Sequence, residues 1–91
     1  MQLTITAPIR GNHFRPASAK TVYNELEWDE ELSLEPEPEN QYDENAIKVL
    51  ARGEHVGYVG KEFAAELSGA NLISGKYEGS GMMEITYEPS E

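Results

Sequence analysis

Cysteine is absent from the 91 residues, which excludes a disulfide framework and a thiolate metal site. That usage suits a reducing compartment. Histidine occurs twice, at His13 and His55, too far apart in the chain to show metal-ligand spacing with each other. No apolar run approaches the length of a membrane span, and the N-terminus lacks the apolar stretch of a signal peptide. A cytoplasmic location with no membrane partner is therefore expected. No serine sits in a glycine-flanked elbow, and "GYVGK" lacks the spacing of a phosphate-cradling loop. These absences argue against an enzyme, and the chain is expected to carry neither catalytic residues nor a cofactor.

Positive charge is also scarce. Seven Lys and Arg face seventeen Asp and Glu, for a net charge of −10. The distribution is uneven. Residues 1–24 carry Arg10, Arg15 and Lys20 and no acid; residues 25–44 carry only acids; residues 45–91 are mildly acidic. A basic N-terminal block on an acidic chain marks a candidate anion site. Three charges can also fall together by chance.

What is present is a series of short alternating segments. "QLTITAPI" (2–9) places Leu3, Ile5 and Ala7 on one face and Thr4 and Thr6 on the other, a half-buried strand. Pro8 marks its end or an edge position. "RGNHFRP" (10–16) reads as a loop. From Ser18, a candidate N-cap, to Leu26 the spacing of Val22 and Leu26 fits a short helix, although Thr21, Val22 and Tyr23 also suit a strand. "EELSLEP" alternates again, with Leu32 and Leu34 inward, until Pro36 and Pro38 end it. "NQYDEN" (40–45) is a tight turn. "AIKVLA" (46–51), the turn Arg52–Glu54 and "HVGYVG" (55–60) read as a hairpin. "KEFAAELSGA" (61–70) is a short helix with Phe63 and Leu67 on one face. "KYEGSGMMEITYE" (76–88) is a final strand or hairpin, with Gly79 and Gly81 permitting a bulge. Many short strands with one or two short helices predict a mainly β fold, a small barrel whose loops carry the binding face.

Three segments resemble the HIRAN domain family: "EPENQYDENAIKV" (37–49), "HVGYVGKEFAAEL" (55–67) and, upstream, "GNHFRP" (11–16). The Tyr-Asp-x-Asn-Ala run followed at this distance by Val-Gly-Tyr is the specific part. The resemblance covers residues 3–87 and treats 1–91 as a single domain, similar to standalone prokaryotic or phage-like members. It implies an OB/SH3-like β-barrel that binds DNA and captures the 3′-hydroxyl end of a single strand. No helicase motor is visible, so a helicase or nuclease partner would be a separate protein.

The resemblance implies a role for each site residue, and elementary physics agrees. A carboxylate repels a phosphate backbone, yet it becomes useful if it accepts a hydrogen bond from a hydroxyl found only at a strand terminus. Asp43 fills that role. Tyr42 and Phe14 stack on bases. Arg15 and Lys61, with Arg10 and His13 beside them, hold phosphates, and Tyr58 lines the same face. His13-Phe14 stands where end-binding relatives carry Arg and an aromatic. Met82 and Met83 stand near a further aromatic position.

Each residue also has a plainer role. Asp43 is also of the residue type that caps its own turn, and one carboxylate has lone pairs enough for both tasks. Tyr42 and Tyr58 fit half-buried barrel positions, and Lys61 can pair with Glu62 or Glu66. A competing function uses the acids themselves. The block from Glu25 to Glu44 would imitate DNA phosphates and occupy a basic groove on a partner protein, as an inhibitor or interaction module.

Overall fold

The structure, a computed structural model, describes residues 1–90. Six antiparallel strands form a closed barrel in the order β1-β4-β3-β2-β5-β6, with β6 returning to β1. The strands are β1 (Leu3–Arg10), β2 (Glu31–Pro36), β3 (Ile47–Ala51), β4 (Glu54–Val59), β5 (Asn71–Gly79) and β6 (Met82–Glu88). Two short helices complete it, α1 (Ala17–Glu25) and α2 (Lys61–Glu66), with a 3-10 turn at Asn12–Phe14. The expected small barrel is thus observed. No helix among the described residues is long and apolar enough to cross a membrane.

The alternation read from the sequence sets the core. Ala7 and Ile9 point inward from β1, Leu32 from β2, Ile47, Val49 and Ala51 from β3, and Met83 and Ile85 from β6. Helix α2 adds Ala64 and its C-cap residue Leu67, and Phe63 packs partly against the same cluster. Burying such side chains is the main driving force for the fold.

Several local readings need correction. Pro8 does not end β1. It lies where β1 leaves β6, its partner over Leu3–Pro8, for β4, its partner at Ile9 and Arg10. A residue without an N–H fits such a corner. Ser18 is not the N-cap of α1. The helix starts at Ala17 behind Pro16, whose carbonyl accepts from Lys20 N at 3.0 Å, and Ser18 Oγ turns to Glu54 Oε1 at 3.2 Å. Helix α2 is shorter than 61–70. The C-terminal segment is a hairpin that begins at Asn71, five residues before the expected start. Its two-residue turn places Ser80 and Gly81 both at positive φ, the geometry that matches strand twist.

The six strands fall into two halves. The pairs β1–β6 and β5–β6 are long on one side, and β2–β3 and β3–β4 on the other. Two short seams join them, each of two residue pairs: Ile9↔Val59 and Arg10↔Tyr58, then Glu31↔Lys76 and Leu32↔Gly75.

Candidate nucleic-acid interface

The loop from Glu37 to Ala46 links β2 to β3 and carries the motif. Asn40 organises it. Its Oδ1 accepts from the backbone N–H of Tyr42 at 2.9 Å and of Asp43 at 3.0 Å, and its Nδ2 donates to Glu37 Oε1 at 2.7 Å. Asp43 Oδ1 accepts from Asn45 N at 2.9 Å, and Asp43 O accepts from Ala46 N at 3.0 Å. Asp43 does cap its turn, then, but with one oxygen; Oδ2 has no hydrogen bond within the described residues. The backbone bonds leave the Tyr42 ring unsupported by the core. It is 85% exposed, so the half-buried alternative fails for Tyr42.

Across from this loop lies the turn after β1. Phe14 is 86% exposed and meets the His13 ring edge-on at 5.8 Å. Arg15 Nε donates to the carbonyl of His55 at 2.9 Å, which fixes the guanidinium and leaves its terminal nitrogens unpaired among the described residues.

Strand β4 forms the floor. Here β3 and β4 shift register: Val49 faces Gly57, Leu50 faces His55, and Val56 is the extra residue of a bulge. Strict alternation would put His55 and Tyr58 on opposite faces. The bulge brings their rings together, edge-on at 4.8 Å, while Val56 is fully buried. Tyr58 is partly buried, and its hydroxyl donates to Glu37 Oε1 at 2.9 Å. The Asn40 and Tyr58 bonds hold the Glu37 carboxyl below its usual range, and Lys48 Nζ lies 3.5 Å from its Oε2.

Two adjoining grooves result. The larger, about 840 Å³, is lined by Phe14, Arg15, Glu37, Asn40, Lys48 and Tyr58 among others. The smaller, about 440 Å³, is lined by Arg10, Asp43, Lys61, Ala46 and Val59 among others. Gly11, Asn40, Tyr42 and Tyr58 border both. Six of the seven candidate residues meet here, and His13 touches the site only through Phe14. Met83 is core, and Met82 borders neither groove. Asn40, Glu37 and Lys48 escaped the sequence reading. The "EPEN" spacing, with an acid three residues before an Asn that opens a turn, is the signal that could have found them.

Ion pairing sorts the cations. Lys48 pairs with Glu35 and Glu37, Arg52 with Glu25 and Glu30, and Lys76 with Asp29. Arg10, Arg15, Lys20 and Lys61 have no such partner among the described residues, and all of these except Lys20 line the grooves. Lys61 pairs with neither Glu62 nor Glu66. No cluster of His, Cys, Asp or Glu suited to a metal ion is found among the described residues.

His55 supplies a stability test. Burial, then the nearby Arg15 charge, push its imidazole below the usual value of 6.5, and its buried Nε2 has no hydrogen-bond partner among the described residues. The unfolded chain therefore takes up this proton more readily. Its contribution is complete above about pH 6.5 and is lost as pH falls through the folded value. The lowered carboxyls of Glu30 and Glu37 act the same way, only below 4.5. The melting temperature should decline between pH 7 and pH 5, and His55→Gln should flatten that decline. A wild-type melting temperature constant over this interval would contradict it.

A model of the HIRAN domain matches residues 3–88. Among solved structures, the chain is similar to the crystal structure of the HIRAN domain of human HLTF. The TM-score is 0.75 at 23% identity, over 97% of this chain and 77% of that one. No curated protein sequence gives a significant match. The family match spans nearly the whole barrel, including the bulged strand, the Asn40-organised turn and both grooves, and the chain belongs to the HIRAN domain family.

Proposed function

We propose that this chain is a non-catalytic module that binds single-stranded DNA at its 3′-hydroxyl end. One observation carries the reading. Two rings left in water, Phe14 and Tyr42, border adjoining grooves that also hold the Asp43 carboxylate, with one oxygen unused among the described residues, and three cations that have no acid partner among those residues. Exposed rings accept the face of any base. Arg10, Arg15 and Lys61 offer charge to a short run of phosphates. Asp43 Oδ2 accepts the terminal hydroxyl, in a pocket where a phosphate would be repelled. The acids that dominate the net charge pair with Lys48, Arg52 and Lys76, and leave the three cations of the grooves for the ligand. A separate helicase or nuclease would supply any catalytic step.

The test is fluorescence anisotropy with strands that differ only at their ends. A hydrogen bond to a charged acceptor contributes about 1.5–3 kcal/mol. A 3′-phosphate should therefore weaken binding at least about tenfold, with little effect from a 5′-phosphate. Asp43→Asn should reduce that discrimination while keeping the turn, since the amide oxygen can still accept from Asn45 N. If a 3′-phosphate strand binds as tightly as a 3′-hydroxyl strand, end recognition fails and Asp43 serves its turn alone.

A further inference from the structure

The larger groove contains a feature that end binding does not use. Its wall carries Glu35, Glu37 and Glu39, against Arg15 and Lys48, and Lys48 is held by Glu35 at 3.6 Å and Glu37 at 3.5 Å. Phosphates are repelled from that wall. A strand entering this groove must therefore run its backbone along the Arg15 side and turn base edges toward the acids.

Glu37 is the acid fixed to meet such an edge. Its Oε1 already accepts two hydrogen bonds, from Asn40 Nδ2 and Tyr58 Oη, which fills both acceptor directions of that oxygen. These bonds lock the carboxylate plane. Oε2 faces the Lys48 ammonium at a loose 3.5 Å, a long contact that leaves the oxygen room for a further donor. The side chain is 28% exposed, enough for a ligand to reach and little enough to be partly shielded from water. Phe14 and Tyr42 border the same groove and can hold a base by its faces.

A preorganised carboxylate oxygen accepts an N–H and repels a carbonyl. Cytosine presents an exocyclic amino group at ring position 4, a known partner for Glu. Thymine presents a carbonyl at the same position. Adenine and guanine also carry amino groups on their pairing edges. We propose that Glu37 selects bases bearing an exocyclic amino group, so that the groove takes cytosine in preference to thymine. This inference rests on the strand-binding reading above and adds a base preference to it.

Anisotropy titrations at pH 7.5 with 3′-hydroxyl hexamers of dC and of dT provide the test. One hydrogen bond to a charged acceptor, made with cytosine and lost with thymine, discriminates by roughly tenfold or more. The dC strand should bind about tenfold more tightly than the dT strand. Glu37→Gln keeps an oxygen for Asn40 and Tyr58 but turns a donor into the groove, and its preference should shrink to within about twofold. A second arm needs no variant. A hexamer of N4,N4-dimethyl-dC keeps the ring and loses both amino hydrogens, so it should bind wild-type protein no better than dT. If neither natural strand binds, the strand-binding reading falls and takes this inference with it. If dC and dT bind equally, if Glu37→Gln retains the full preference, or if the dimethylated strand binds like dC, the role of Glu37 is refuted while end binding stands.

Discussion

Gly57→Ala should cost about 2–3 kcal/mol of stability, although it adds a single methyl group. A Cβ at this position would lie 2.7 Å from the carbonyl oxygen of Arg10 and 2.8 Å from Ile9 Cγ2. The first is backbone and cannot swing aside. Overpacking of this kind typically costs about 1–3 kcal/mol, and here it falls on a seam of only two residue pairs. For a domain of this size the loss corresponds to a fall in melting temperature of roughly 10–20 °C. Strand binding should weaken as well, because Gly57 sets how closely β4 approaches the strand that carries Arg10 and leads into Phe14. Thermal denaturation decides the matter. A variant melting within a few degrees of wild type would mean that β1 can draw back at no cost, and the close approach would not constrain the barrel.

Phe14→Ala and Tyr42→Ala should do the opposite, sparing the fold and losing the ligand. Each ring is more than four-fifths exposed, so truncation removes almost no buried surface. The Tyr42 loop is held through backbone bonds to Asn40, not through the ring. Base stacking on an aromatic contributes about 1–3 kcal/mol per base, so each variant should bind single strands roughly 5- to 150-fold more weakly. Circular dichroism and melting temperature should stay near wild type. Normal binding by both variants would move the site elsewhere, and unfolding of both would make the rings structural.

These two outcomes also separate what the sequence reveals from what it conceals. Alternation in β1, β2 and β3 exposes the inward residues directly, because a period of two is a property of the strand itself. The Tyr42-Asp43 turn is legible for the same reason: Asx residues bond locally, and the bonds of Asn40 and Asp43 span three residues or fewer. Features that depend on distant partners are not legible. The bulge at Val56 arises from the register of β3 against β4, and without it "HVGYVG" places His55 and Tyr58 on opposite faces. The contact of Tyr58 with Glu37 crosses 21 positions. Ser18 looks like a helix cap because its type is right, yet Pro16 starts the helix and Glu54 claims the hydroxyl. Exposure is hidden as well. Tyr42 and Tyr58 are the same residue type beside similar apolar segments, and only the assembled barrel leaves one in water and half-covers the other.

The two-part construction of the barrel gives ligand binding a mechanical meaning. Tyr42, Tyr58 and Glu37 belong to the half built from β2, β3 and β4, whereas Arg10 ends β1, which pairs mainly with the other half. The grooves straddle the seam between them. A strand seated against both Arg10 and Tyr42 acts as a clamp over that joint. Part of its binding free energy then appears as resistance to the two halves parting, through the ordinary linkage between ligand occupancy and the folded state.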